Sequence, residues 1–99
     1  MKVFQMARFK KYVKKLPRHF QQVILDAVED VVANTEVGEP KKGDLEGIQV
    51  YKFTMSRQLI LMAYKVENDC LVLYQAGPHE NFYRDLKKYL KETGGVKKC

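Results

Sequence analysis

Residues 71–90, LVLYQAGPHENFYRDLKKYL, contain the change of periodicity that decides the fold of this chain. The stretch opens as an apolar run, which indicates a buried strand, and Gly77-Pro78 ends that strand because proline cannot donate a backbone hydrogen bond. From Asn81 onward the apolar residues recur at helical spacing, so a helix follows almost directly. His79 lies at this junction, and the predicted helix carries a phenol and several cations: Tyr83, Arg84, Lys87 and Lys88. An imidazole, a phenol and cations in one place favour a partner that bears phosphate.

The residues before this stretch predict an antiparallel meander of three strands. Residues 48–55 alternate between two faces, and residues 58–66 are apolar on both faces, as in a central strand that is covered from both sides. Residues 70–76 form the third strand, and the short breaks between the three favour antiparallel pairing. Lys52 and Thr54 share one face of the first of these strands, and we expect that face to form a groove beside the final helix.

The N-terminal part of the chain predicts a layer of two helices. Residues 7–16 and residues 20–31 both carry apolar side chains at helical spacing, and Pro17 between them ends one helix or starts the next. The two helices are short enough to pair as a helical hairpin, whose apolar seam needs a sheet to cover it. Residues 34–47 are rich in glycine, proline and charge, and we interpret them as a loop.

The order of these elements predicts an α+β fold. It consists of an N-terminal strand, a helical hairpin, a three-stranded antiparallel meander joined into one small sheet, and a C-terminal helix. We expect residues 1–93 to form a single domain and residues 94–99 to form a flexible tail.

Composition and charge limit the classes of function. The 99 residues carry a net charge of +6, and the first eighteen contain lysine and arginine but no acid. This segregation attracts nucleic acid, although a solvated basic helix face gives the same pattern. No apolar run is long enough to span a membrane, and no apolar block near the N-terminus marks a secretory signal. We therefore expect a cytoplasmic protein with no membrane partner. With only two histidines and no CxxC pair, we expect no metal site.

Two runs resemble the RelE/ParE superfamily of toxins from bacterial type II toxin–antitoxin systems: residues 43–66, GDLEGIQVYKFTMSRQLILMAYKV, and residues 71–90. The resemblance extends over residues 3–91. It is most specific at Gly43-Asp44-Leu45-x-Gly47 with Tyr51-Lys52, and at Gly77-x-His79-x-x-x-Tyr83. The ending GPHENFYRDLKKYL is similar to the RelE/StbE-type toxins, and the histidine is similar to that of the YafQ-like members.

The resemblance implies a small basic toxin that is held silent by a cognate antitoxin and needs no cofactor. In the RelE-like branch such a toxin cleaves mRNA on the ribosome without metal. In the ParE-like branch it inhibits DNA gyrase and is not a nuclease. A third interpretation is a basic interaction module with no toxicity.

RNA cleavage without metal requires a group that takes a proton from the 2′-OH, a group that protonates the leaving oxygen, and fixed cations near the phosphate. His79 is the best acid or base in the sequence, and Tyr83 is placed to orient the phosphate or stack on a base. Lys52 matches a basic residue that binds phosphate in RelE-like enzymes, and the spacing does not assign which of His79 and Lys52 takes the proton and which gives it. Further candidates for binding the RNA backbone are Arg57, Arg84, Lys87 and Lys88.

Two positions depart from the RelE-like pattern. A second lysine is common in RelE-like nucleases two residues after the position of Lys52, where this chain has Thr54. Those nucleases also carry an arginine in the next strand, about where this chain has Leu61. The loss of two expected cations weakens the nuclease interpretation and keeps the gyrase interpretation open.

Each candidate residue also has a structural interpretation. His79 can be a turn residue, Tyr83 can be a core aromatic, and the lysines and arginines can form a solvated surface. On the groove side of the central strand lie three apolar residues, Leu59, Leu61 and Ala63. If the final helix leaves them exposed, they mark a partner site. We expect an antitoxin segment to lie on them or to displace that helix.

Overall fold

The computed structural model describes residues 1–93 and consists of one mixed five-stranded sheet with helices on both faces. The strands are β1 (Lys2–Gln5), β2 (Glu39–Pro40), β3 (Gln49–Met55), β4 (Gln58–Glu67) and β5 (Cys70–Pro78). The helices are α1 (Ala7–Lys14), α2 (Arg18–Ala33) and α3 (Phe82–Thr93), and a short 3₁₀ turn spans Gly43–Leu45. The α+β architecture is therefore confirmed. The predicted flexible tail, residues 94–99, lies outside the described residues.

The sheet has the strand order β1-β5-β4-β3-β2, so β4 lies at its centre. Successive side chains of a strand point to opposite faces, and both faces of β4 are covered. Leu61 and Ala63 pack with α3, whereas Ile60, Met62 and Tyr64 pack with the helical hairpin of α1 and α2. The predicted central strand, apolar on both faces, is thus present.

Both edges of the sheet have features that the sequence did not predict. Glu39–Pro40, inside the predicted loop, form the edge strand β2, which pairs with Gln49 and Val50 of β3. Proline fits this position because an edge strand leaves one side of its backbone unpaired. At the other edge, β1 pairs with β5 in parallel over Cys70–Leu73 only, so the later part of β5 has a sheet neighbour on one side alone.

A bulge in β5 changes the direction of the side chains that follow it. Ala63 pairs with Gln75 and Tyr64 pairs with Leu73, which leaves Tyr74 as an extra residue on β5. Because of this extra residue, Tyr74 and Gln75 both face α3: Tyr74 packs in the α3-side core, and the Gln75 amide donates to the carbonyl oxygen of Phe82 at 3.0 Å. The bulge therefore directs a buried polar side chain toward the start of α3.

The hairpin of α1 and α2 is closed by a side-chain amide. Gln21 donates from Nε2 to the carbonyl oxygens of Val13 and Leu16, at 3.0 and 3.1 Å. Val13 lies in the last turn of α1 and Leu16 follows that helix by two residues, where carbonyl oxygens lack the acceptor partners of the helix interior. The amide therefore fixes the first turn of α2 against the end of α1, and the buried side chains of both helices meet the sheet.

Tyr64 joins the central strand to the segment that follows α2. Its buried hydroxyl accepts from the Gly38 amide at 2.9 Å and donates to the Thr35 carbonyl at 2.7 Å. A Cβ atom on Gly38 would lie 2.6 Å from this hydroxyl, so only glycine fits there without a shift of the ring. The phenol therefore fixes the segment that leads into β2.

We expect Tyr64→Phe to lower the free energy of unfolding by about 1–3 kcal/mol, because two backbone groups lose their partner in a buried place. The matched control is Tyr51→Phe, since the Tyr51 hydroxyl donates to Asp30 at an exposed site and its loss should change stability by less than about 0.5 kcal/mol. Chemical denaturation of the two variants measures the difference. Equal stability of the two would contradict the role assigned to Tyr64.

Candidate active site

The pairing of three strands places Lys52 level with Gly77, which precedes His79 by two residues. Lys52 pairs with Leu61, and Leu61 pairs with Gly77 on the next strand. Lys52 is on β3 and His79 directly follows β5, so one strand, β4, separates them in the sheet. Lys52 pairs with Leu61 and therefore shares the α3 side of the sheet with it.

Tyr83 lies between the histidine and a lysine that the sequence interpretation did not include. The His79 and Tyr83 rings meet edge to face with their centroids 6.2 Å apart, and Lys41 Nζ lies 5.0 Å from the centre of the Tyr83 ring. Tyr83 is half-buried against the α3-side core, whereas His79 is exposed. Tyr83 therefore both packs and presents its ring to two polar neighbours.

A carboxylate connects the two lysines. Lys41 Nζ lies 2.7 Å from Glu39 Oε1, and Lys52 Nζ lies 3.7 Å from the same oxygen. The bond from Lys41, together with the charges of Lys41 and Lys52, holds the pKa of the Glu39 carboxyl below its usual value. The bond to Glu39 likewise raises the pKa of Lys41.

These contacts form one continuous set, which we name the β2–α3 cluster: Lys52, Glu39, Lys41, Tyr83 and His79. The cluster contains a carboxylate that is ionised at neutral pH, an imidazole and two cations. Such a set can take up one proton, give another and neutralise charge between them.

The cluster brings together three of the predicted residues: Lys52, Tyr83 and His79. The structural interpretation of His79 as a turn residue applies to its backbone, because its carbonyl oxygen accepts from the Phe82 amide at 3.1 Å. Its imidazole remains exposed beside Tyr83.

The remaining predicted cations lie around the cluster rather than in it. Arg57 is exposed at the tip of the β3–β4 hairpin, where its φ of 67° marks a tight turn. The α3 cations Arg84, Lys87 and Lys88 line a shallow cleft with Asp44, and Arg84 is 75% exposed beside Asp85. The three α3 cations therefore form a basic surface, and Arg57 is a separate exposed cation at the hairpin tip.

The three predicted antitoxin contacts divide into two kinds. Leu61 and Ala63 are completely buried with Phe82 and Leu86, so α3 covers them. Leu59 is 43% exposed at the end of the same strand. The exposed patch considered from the sequence is therefore absent at Leu61 and Ala63, and a partner reaches them only if α3 moves.

Glu39 and Lys41 were missed from the sequence because they lie in the segment interpreted as a loop. The signal that could have found them is local: Pro40 fits an edge strand, and the charged residues on either side of it directly precede the Gly43-Asp44-Leu45 motif. Their approach to Lys52 depends on the pairing of Glu39 with Val50, which no local pattern predicts.

Within residues 1–93, no group of three or more His, Cys, Asp or Glu side chains is arranged to hold a metal ion. Within the same residues, no helix is both long enough and apolar enough to cross a bilayer.

The fold and the cluster define a class of small basic α+β proteins with a polar site at the start of the last helix. The family model for the ParE-like toxin of type II bacterial toxin–antitoxin systems matches residues 3–87. The chain belongs to this family, and it is the toxin component of a toxin–antitoxin module of the RelE/ParE type.

Solved structures show the same fold. The RelBE2 toxin–antitoxin complex of Mycobacterium tuberculosis matches with a TM-score of 0.67 and 16% identity, over 79% of this chain and 96% of that one. The intact Escherichia coli RelBE complex matches with a TM-score of 0.63 and 15% identity, over 80% and 96%. The isolated E. coli RelE toxin matches with a TM-score of 0.60 and 14% identity, over 88% and 96%. No curated protein sequence matches the chain significantly.

Proposed function

We propose that this toxin cleaves mRNA on the ribosome and that the β2–α3 cluster is its catalytic site. The observation that carries the proposal is the continuous contact from Lys52 through Glu39, Lys41 and Tyr83 to His79. This set contains every group that cleavage by the 2′-OH requires, and its residues come from three separate parts of the chain.

In the proposed reaction the Glu39 carboxylate, which is ionised at neutral pH, takes the proton of the 2′-OH. The 2′-oxygen attacks the adjacent phosphorus, and the bond from phosphorus to the 5′-oxygen breaks. His79 in its protonated form gives a proton to the departing 5′-oxygen. The products are a 2′,3′-cyclic phosphate and a free 5′-OH.

The cations of the cluster act on the charge that develops during the attack. Lys41 and Lys52 both lie within 4 Å of Glu39 Oε1, so both are placed to neutralise the phosphate oxygens beside this base. The Tyr83 ring, held between Lys41 and His79, orients the nucleotide or stacks on its base. The exposed cations Arg57, Arg84, Lys87 and Lys88 bind the RNA backbone outside the reacting bond.

Inhibition of DNA gyrase is the second candidate function. The observation that favours it is the replacement of two cations common in RelE-like nucleases by Thr54 and by Leu61, which is completely buried. With fewer cations, the negative charge on the pentacoordinate phosphorus of the transition state is stabilised less. Lys41 compensates for part of this loss in the nuclease proposal.

The partner that we propose is a cognate antitoxin, because the similar RelBE2 and RelBE structures are complexes of toxin with antitoxin. Its contact with Leu61 and Ala63 requires that α3 be displaced, whereas Leu59 is accessible without any movement. Titration of the toxin with the product of the neighbouring small reading frame tests this partner. Absence of binding would overturn it.

Induction of the chain in a bacterium separates the two functions. We expect new mRNA ends within translated codons, mapped by sequencing of 5′ ends, and no trapped gyrase–DNA complexes. Trapped gyrase–DNA complexes without new mRNA ends would replace the nuclease proposal by gyrase inhibition. Normal growth, with neither product, would contradict both.

Lys41→Met tests the electrostatic role of the lysine. Without its neighbour, the pKa of Glu39 rises toward its ordinary value, so a more alkaline solution is needed to keep this base ionised. We therefore expect the acidic limb of the pH profile of kcat/KM for mRNA cleavage to move to higher pH. Lys42→Met removes the same charge from an exposed neighbour and is the control. An unchanged acidic limb in Lys41→Met would contradict the assignment of Glu39 as the base.

A further inference from the structure

A second cleft, of about 610 Å³, lies between α1 and α3 above the end of β5. It contains none of the residues of the β2–α3 cluster, but it opens beside His79, because the two chain neighbours Pro78 and Glu80 both line it. We name it the α1–α3 cleft. Its volume is in the range of sites that bind small ligands or single nucleotides.

The floor of this cleft contains a buried hydrogen-bond acceptor with no partner. Gln75 lines the cleft and is 6% exposed, and within residues 1–93 its Oε1 accepts no hydrogen bond. The orientation of the amide is fixed, because Nε2 donates to the Phe82 carbonyl and the reversed amide would set two oxygens against each other. A buried acceptor without a partner is unfavourable, so this position suits a ligand that donates an N–H or O–H.

The two sides of the cleft carry charges of opposite sign. The α1 side contributes the cations Arg8, Lys11 and Lys15, and the α3 side contributes the carboxylates Glu80, Asp85 and Glu92. Lys11 and Lys15 are exposed, and an ammonium group at either position can bind a phosphate. The carboxylates can only accept hydrogen bonds when they are ionised, so together with Gln75 they form a side that is rich in acceptors.

The cleft also contains planar groups on which a base can stack. Tyr12 lines it, and the Arg8 guanidinium lies 5.1 Å from the centre of the Tyr89 ring, which holds both groups at the side of the cleft. Aromatic rings and guanidinium planes are the surfaces on which proteins stack single-stranded bases.

We propose that the α1–α3 cleft binds a guanosine nucleotide, with its phosphate on Lys11 and Lys15 and the donor edge of its base toward Gln75 and the carboxylates. Guanine presents adjacent N1–H and N2–H₂ donors, which match a side rich in acceptors. Uracil presents one donor between two carbonyl oxygens, and these oxygens would face carboxylates of like polarity. The source that we infer is a guanosine of the RNA strand that passes His79, so this part of the inference rests on the proposed function.

Calorimetric titration of the purified chain with GMP and with UMP tests the base preference. We expect GMP to bind about tenfold more tightly, the ratio for one well-made pair of hydrogen bonds to a base edge. Glu80→Gln, which replaces an acceptor by an amide that also donates, should reduce this ratio while leaving the fold intact. Equal affinity for the two nucleotides, or no binding of either, would overturn the proposal.

A matched pair of double variants tests the position of the phosphate. Lys11→Ala with Lys15→Ala removes the two lysines of the cleft, whereas Lys10→Ala with Lys14→Ala removes the same charge from exposed positions on α1 outside it. We expect about a tenfold loss of GMP affinity in the first double variant and little change in the second. Equal losses of GMP affinity in the two double variants would show that GMP is attracted to the positive charge of the protein in general, and would overturn the proposed phosphate position.

Short single-stranded RNAs separate the two sources of the nucleotide. An RNA with a central guanosine should bind more tightly than one with a central uridine. A preference for GMP without this preference in RNA would assign the cleft to free nucleotide and overturn its role toward mRNA. Nucleotide binding is measured separately from cleavage. If the protein cuts mRNA but binds GMP and UMP equally, the proposed guanosine site is wrong and the proposed function stands. If the protein prefers GMP but does not cleave mRNA, the proposed function is wrong and the guanosine site stands.

Discussion

His79→Ala is expected to lower the rate of mRNA cleavage by about a hundredfold to ten-thousandfold, the usual contribution of a positioned acid or base. The imidazole is exposed beside Tyr83 and carries no part of the core, so its removal should leave the free energy of unfolding within about 0.5 kcal/mol of the original. Cleavage of mRNA on purified ribosomes measures the rate, and thermal unfolding measures the stability.

The second histidine provides the control. His19 is exposed at the start of α2, where its ring lies 4.1 Å from that of Phe20. His19→Ala should therefore cleave mRNA at the original rate. Full activity in His79→Ala, with a folded protein, would show that the family assignment is right but the catalytic role is wrong. Glu39→Gln should resemble His79→Ala, since an amide cannot take the proton of the 2′-OH.

Leu61→Ala is expected to lower the free energy of unfolding by about 2–5 kcal/mol, because a completely buried leucine leaves a cavity between β4 and α3. In a domain of this size each kcal/mol corresponds to a decrease in Tm of about 4–8 °C. Leu59→Ala is the matched control: the same substitution on the same strand, two residues away, at a side chain that is 43% exposed. It should change stability much less.

The same pair of variants tests where α3 lies. If α3 were not docked on the sheet, Leu61 would be accessible and the two substitutions would have similar, small effects. Similar midpoints of denaturation for Leu61→Ala and Leu59→Ala would therefore contradict the packing of α3 against β4.

The main elements of this fold could be predicted because their periodicities are local. The alternation of β3, the doubly apolar β4 and the change at Gly77-Pro78 each lie within one short stretch of sequence. The edge strand Glu39–Pro40 was missed because two residues carry no periodicity. The bulge at Tyr74 was missed because it is a property of two paired strands rather than of one.

The candidate site could be predicted only where a single residue type carried the signal. His79 and Tyr83 are candidates because an imidazole and a phenol lie at the junction of a strand and a helix, and Lys52 is a candidate through the resemblance. Glu39 and Lys41 become part of the site through contacts with residues far along the chain, at Lys52 and Tyr83. Sequence reasoning therefore identified the ends of the β2–α3 cluster and missed its centre.

The burial of Leu61 gives a physical meaning to one departure from the RelE-like pattern. A charged side chain at this position would need to leave the core beneath α3, since burial of an unpaired cation is very unfavourable. In this chain the position contributes packing instead, and the second cation of the site, Lys41, comes from the segment that follows β2.

Analysis of the ends of the cleaved mRNA tests the central claim most directly. If the 2′-oxygen attacks with Glu39 and His79 as base and acid, the upstream fragment must end in a 2′,3′-cyclic phosphate and the downstream fragment must begin with a 5′-OH. A 2′-O-methyl group at the scissile nucleotide should then abolish cleavage on ribosomes by the purified toxin. Fragments with a 3′-OH and a 5′-phosphate, or cleavage that continues beside the 2′-O-methyl group, would contradict this mechanism.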